Sequence, residues 1–219
     1  MKNAPARLLS EFLGVFFLCL VALGAVTNSA GLTGAAIANG FVIFAGICAF
    51  GHTSGAHFNP AVTTALALTK RISVVDALGY VAAQILGGIA AAGVWQLMTD
   101  AWQGVPQLAS GVSMTQGLIA EIIATFMMMI VIMGVAVDKR GSFAIIAGLP
   151  IGLAITSLIF FAGPISGAAM NPARWFGPAL INGDLSNALV WILGPIVGAI
   201  AAAFVYDIIM KPARDEFHL

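Results

Sequence analysis

Apolar residues fill this chain in long runs, and its polar residues gather at a few points between them. Six runs, at 8–27, 33–51, 75–98, 115–137, 143–161 and 186–210, are long enough to cross the roughly 30 Å hydrocarbon core of a bilayer as helices. Two further apolar segments, 60–69 and 172–181, are too short to cross: ten helical residues rise only about 15 Å. Each of these begins with Asn-Pro-Ala. Asparagine is a favoured helix N-cap and proline suits the first helical turn. The pattern predicts an all-α membrane protein with six transmembrane helices and two re-entrant half-helices that stop midway.

The pattern also repeats. "SEFLGVF" (10–16) matches "AEIIATF" (120–126), "SGAHFNPA" (54–61) matches "SGAAMNPA" (166–173), and "LGGIAAA" (86–92) matches "VGAIAAA" (197–203). The offsets are 110, 112 and 111 residues. Each half holds three full spans, an odd number, so the second half enters from the opposite face. Residues 1–219 therefore read as one transmembrane domain built from inverted repeats at about 8–98 and 115–210, an architecture that places a site near the midplane.

Composition narrows the class. Of 219 residues 60% are hydrophobic and 8% charged, against about 25% charged in a soluble domain. Net charge is zero, which gives no electrostatic reason to expect a nucleic-acid partner. Cys19 and Cys48 both lie in apolar runs and read as buried thiols rather than a disulfide framework. The first run has the length and character of the later ones and reads as a retained span, not a leader. Charge fixes the layout: Lys2, Arg7, Lys70, Arg71, Lys139, Arg140, Lys211 and Arg214 all fall on one side, which the positive-inside rule makes cytoplasmic, with both termini there. The ninth basic residue, Arg174, is alone on the far side, directly after the second Asn-Pro-Ala.

Two half-helices entering from opposite faces meet with their positive N-terminal ends together. Asn59 and Asn171 cap those ends and are expected to keep side-chain N–H groups free for a water molecule. Pro60 and Pro172 remove a backbone donor, and Ala61 and Ala173 follow. The non-helical backbone before each Asn (Gly55, Ala56 and His57; Gly167, Ala168 and Ala169) must line a wet cavity, since bare carbonyls cannot face lipid.

"SGAHFNPAV" and "MNPARWFGPA", with the spans, the repeat and the charge layout, resemble the aquaporin (major intrinsic protein) family over essentially the whole chain. The resemblance implies a passive channel, not an enzyme, with no cofactor and no bound metal, assembled as a homotetramer in the cell membrane. It implies that Arg174 lines a narrow filter near the outer mouth and repels cations. Counting from each Asn by the family's pattern places the other filter positions at Asn39, Ile159 and Ala168. The family's water members set an aromatic and a histidine at the two helix positions, and its glycerol members two aromatics; this chain has neither. Trp175 stands where glycerol members carry an aspartate, Ala179 resembles the water members, and Trp191 and Ile192 are mixed. Water is the expected permeant, with small neutral solutes such as glycerol. The alternatives are a glycerol or metalloid-acid facilitator with a broad filter and, from another class, a proton-coupled transporter.

That last alternative concerns Glu11 and Glu121, at equivalent places in the first and fourth spans. Intramembrane carboxylates are functional or paired. They read either as proton carriers or as acceptors that brace the two re-entrant loops. His52 and His57 lack the companions a metal needs; His57 is expected to pack the loop and His52 to border a vestibule or pack, while His218 lies in a polar tail. Gln84 is expected to donate to a loop carbonyl or to a neighbouring helix, Gly14, Gly87 and Gly198 to mark helix crossings, and Met127–Met129 to face lipid or fill the core. Tyr80, Trp95 and Trp102 are expected at the membrane interfaces.

Overall fold

The computed structural model describes residues 3–28, 30–99, 104–140 and 146–210. Lys2, Trp102, Lys211, Arg214, His218 and the predicted start of the fifth span at 143–145 lie outside the described residues. The described chain is helical: α1 (Ala4–Thr27), α2 (Gly31–Ser54), α3 (Pro60–Leu68), α4 (Val74–Met98), α5 (Met114–Ile132), α6 (Gly148–Ser166), α7 (Pro172–Asn182) and α8 (Ala188–Val205). Two of these end in a π-helical turn, Met133–Val137 after α5 and Tyr206–Met210 after α8. Among the described residues six helices are long and apolar enough to cross a membrane; α3 and α7, of 9 and 11 residues, are not. The sixth full-length helix starts at Ala188, because Asn187 before it is left-handed (φ 56°).

The fifth full-length helix runs on to Ser166, beyond the expected end at 161, although Pro164 lies inside it. Proline removes only one helical hydrogen bond, and here it falls in the last turn, where the helix is about to stop. Gly167 then ends it in the left-handed region at φ 75°.

Packing repeats with the sequence. α1 lies on α4 and α5 on α8, and the crossings are close because Gly87 faces the Phe12 carbonyl while Gly198 faces that of Ile122. Any side chain at either glycine would collide with backbone. Gly14 serves differently from expectation: it faces the ring of Phe58 in the first re-entrant loop, not another helix. α2 meets α6 where Gly40 and Gly152 bring backbone against backbone, and Thr156 Oγ1 there donates to the Ala36 carbonyl at 3.2 Å. α7 is seated on α4 through Gly177 against Gly88.

Candidate functional site

Each re-entrant loop is hung on one buried carboxylate. Glu11 Oε1 accepts from Ser54 Oγ (2.6 Å) and His57 N (3.0 Å), and its Oε2 from Phe58 N (2.7 Å). Glu121 repeats the set with Ser166 Oγ (2.7 Å), Ala169 N (2.9 Å) and Met170 N (2.7 Å). Both glutamates are fully buried. Aiming successive N–H groups at one acceptor forces the loop into a nest, with left-handed residues at Ala56 (50°), Phe58 (49°), Ala168 (49°) and Met170 (51°). Each such non-glycine residue costs on the order of 1–2 kcal/mol, which the charge-assisted hydrogen bonds offset. Behind each Ser, the equivalent aromatic donates to its carbonyl: Tyr80 OH to Ser54 O at 2.7 Å, and Trp191 Nε1 to Ser166 O at 2.9 Å.

The loops lead into the two asparagines. Asn59 Oδ1 caps α3 by accepting from Ala61 N (2.9 Å); Asn171 Oδ1 caps α7 by accepting from Ala173 N (3.0 Å) and Arg174 N (3.3 Å). Each amide nitrogen crosses to the other loop. Asn59 Nδ2 donates to Met170 O at 2.8 Å and Asn171 Nδ2 to Phe58 O at 2.7 Å. This corrects the expectation of wholly free donors: one N–H of each amide ties the halves together, and one of its two hydrogens remains for a solute. The swap fixes α3 and α7 head to head.

Two cavities meet beside this pair. One, of about 300 Å³, is bordered by Asn59, Asn171, Gly55, Ala56, His57, Ala168 and Ala169. The second, of about 540 Å³, opens beyond it and includes Gly167, Gly104 and Gln107 in its wall. Asn39, Ile159 and Arg174 border both. The close α2–α6 seam places Asn39 and Ile159; the cap of Asn171 places Arg174. Asn39 Nδ2 donates to Ala35 O at 2.8 Å, which turns Oδ1 to accept from Arg174 Nε at 3.3 Å. Arg174 Nη1 is buried with no protein partner among the described residues, and the residue borders both cavities. Ala168 borders the first cavity alone.

Other residues meet expectation in part. Of the two partners expected for Gln84, the structure shows neighbouring helices rather than a loop carbonyl: Nε2 donates to Glu11 Oε2 on α1 (2.7 Å) and Thr63 Oγ1 on α3 (2.9 Å), the carboxylate being the stronger acceptor. Tyr80 and Trp95, expected at the membrane interfaces, are buried inside the protein: Tyr80 bridges Ser54 O and Arg7 Nε (2.8 Å), and Trp95 packs on Leu23 and Ala92. Cys19 is buried as expected, but Cys48 is exposed on α2. His57 Nδ1 lies 3.1 Å from Thr63 Oγ1 with its ring edge-on to Tyr80, whereas His52 is exposed and outside the lining of both cavities. Met127 is exposed, and Met128 and Met129 are buried. Sequence reasoning passed over Ser54, Ser166 and the Tyr80–Trp191 equivalence, though the repeated "SGA" and the offset of 111 carried the signal.

The chain matches the family model described as Major intrinsic protein over residues 1–206. It is 41% identical to Aquaporin NIP1-1 of Zea mays, over 95% of this chain and 77% of that protein. It is 39% identical to Probable aquaporin TIP3-2 of Arabidopsis thaliana, over 95% of this chain and 85% of that one. Its fold resembles the aquaglyceroporin from Plasmodium falciparum, with TM-score 0.86 at 24% identity, covering 97% of this chain and 99% of that one.

Proposed function

The chain belongs to the major intrinsic protein family, the aquaporins, and from that premise we propose that it is a passive channel for water and small neutral solutes. The family is one of transporters rather than enzymes. One observation supports the path most strongly: the cavity at the twin asparagines shares Asn39, Ile159 and Arg174 with the cavity beyond it. On this reading those three, with Ala168, form the filter.

Water moving along the path meets acceptors first, the carbonyls of Gly55, Ala56 and His57 or of Gly167, Ala168 and Ala169. At the centre the remaining N–H of Asn59 and of Asn171 both donate to its oxygen. Its hydrogens then point away along the path, and the facing positive ends of α3 and α7 oppose a cation there. Arg174 adds a fixed positive charge, since guanidinium does not deprotonate in proteins. Glu11 and Glu121 act as braces: each accepts three or more hydrogen bonds from its loop and the neighbouring helix, which commits it to holding the fold. Without the aromatic pair of the glycerol members at Asn39 and Ile159, water is the main permeant and small neutral solutes pass beside it. The single channel domain spans 1–219, four copies assemble with one path in each, and both termini face the cytoplasm of the cell membrane.

Stopped-flow light scattering on proteoliposomes tests this reading. Osmotic shrinkage should be fast, with a low activation energy, and indifferent to a proton gradient. Dependence on the gradient that Glu11→Gln abolishes would establish the transporter instead. Arg174→Ala should admit larger or charged solutes; unchanged selectivity would remove Arg174 from the filter.

A further inference from the structure

The end of the first cavity away from Arg174 has its own charged residue. Arg71, in the turn after α3, borders that cavity together with Ile132, Ala136 and Val137 from the end of α5 and its π-helical turn. The Arg71 guanidinium does not stand free. Its Nη1 and Nη2 donate to Asp207 Oδ2 and Oδ1 at 2.8 and 2.6 Å, fork to fork. Asp207 lies on the π-helical turn that ends α8. The preceding residue, Tyr206, donates its hydroxyl to Asp138 Oδ2 at 2.8 Å, and Asp138 directly follows the π-helical turn of α5. Two neighbouring residues of one turn thus hold two walls of the same mouth. π-helical turns often occur at functional sites, and here both lie at this mouth.

We propose that Asp207 is a positioning residue for conduction: it draws the Arg71 guanidinium back against the wall and cancels its charge, keeping this mouth open. The proposal rests on the channel reading above. Arg71 and Asp207 side chains are 23% and 26% exposed, so water screens the pair in part and its contribution to stability is modest. What the pair supplies is direction, because a bidentate carboxylate fixes a guanidinium in orientation as well as place. Without Asp207 the cation remains, on a long flexible stem. The cavity offers it new acceptors, the backbone carbonyls of the first re-entrant loop and the solute itself. An arginine extended toward them obstructs the mouth.

A double-mutant cycle in proteoliposomes tests this, with water permeability as the readout and incorporated protein as the denominator. Asp207→Ala should slow osmotic shrinkage about threefold or more. Adding Arg71→Ala to it should bring the rate back to at least half that of the parent, because the obstructing group is gone. A pair that only ties α8 to the turn after α3 predicts the reverse, a double variant no faster than Asp207→Ala alone. That result overturns the proposal, as does parental flux in Asp207→Ala. Should Asp207→Ala not reconstitute, Asp207→Asn decides in its place. Alone it should slow shrinkage, adding Arg71→Ala to it should restore at least half the parental rate, and a double variant no faster than Asp207→Asn alone would overturn the proposal. Parent liposomes that shrink no faster than empty ones sink the channel reading itself, and the proposal with it.

Discussion

Behind the first re-entrant loop lie Tyr80, Gln84, Thr63 and His57; behind the second, at the equivalent positions of the repeat, lie Trp191, Pro195, Trp175 and Ala169. The carboxylate, the serine, the left-handed residues and the asparagine cap are common to both. The layer beneath is not. The first loop rests on a polar network that runs from Glu11 through Gln84 and Thr63 to His57, and from Ser54 through Tyr80 to Arg7. The second rests on two stacked indoles, Trp175 and Trp191, with ring centroids 5.1 Å apart. The shared parts build the architecture; the divergent layer sets each side's chemistry. On the second side Arg174 Nε is held by Asn39 Oδ1, and Arg174 Nη1 has no protein partner among the described residues.

The largest break in this comparison comes from removing the clamps. Glu121→Ala strands two buried backbone donors at about 1–3 kcal/mol each, leaves Ser166 Oγ only the Ala162 carbonyl, and should cost about 2–6 kcal/mol, enough to prevent recovery of folded protein. Glu11→Ala should be milder despite its extra donor. The buried Gln84 Oε1 has no protein partner among the described residues, and a rotated Gln84 amide can accept from the loop in its place. Thermal unfolding in detergent reads the order, and an equal loss in both would mean the polar layer gives no reserve.

A smaller change separates the two aromatic donors. Trp191→Phe removes the bond to Ser166 O but keeps a ring on Trp175, and should cost about 1 kcal/mol. Tyr80→Phe loses the bond to Ser54 O and also strips Arg7 Nε of its acceptor, so its loss should be larger. Melting curves of the two variants side by side decide this, and a greater loss in Trp191→Phe would reverse the assignment.

The smallest effect lies at the basic end. The hydrogen bond from the Arg140 side chain holds the Asp138 carboxyl well below the ordinary carboxylate range, although burial pushes it the other way. A depressed carboxyl adds stability that is complete above the unfolded value, about pH 4, and is lost as pH falls below it. Melting temperature should therefore fall with acid between about pH 4 and 3, and less so in Asp138→Asn. An identical acid slope in both proteins would show that this group does not contribute.

Much of this arrangement is legible in the sequence, and the reasons are local. Apolar run length reveals the spans, and Asn-Pro at the head of two short runs reveals α3 and α7, because N-cap and first-turn preferences act within a few residues. The extension of α6 past Pro164 is not legible, since proline at a last turn and proline beyond a helix look alike in sequence. Contacts between distant residues are hidden as well. Nothing near Asn59 announces that its amide is taken by Met170 O, and nothing near Tyr80 distinguishes a membrane-interface ring from one buried under Ser54. Arg71 obeys the charge rule and so drew no notice, while Arg174 broke it and did.

The central claim is that solute passes the point where the two cavities share Ile159. Ile159→Cys, in a Cys48→Ser background, places a thiol there while the exposed native one is removed. Treated with mercuric chloride, proteoliposomes of this variant should slow to the shrinkage rate of empty liposomes, while the Cys48→Ser parent keeps its rate. Undiminished water flux after complete labelling of Cys at 159 would contradict the account.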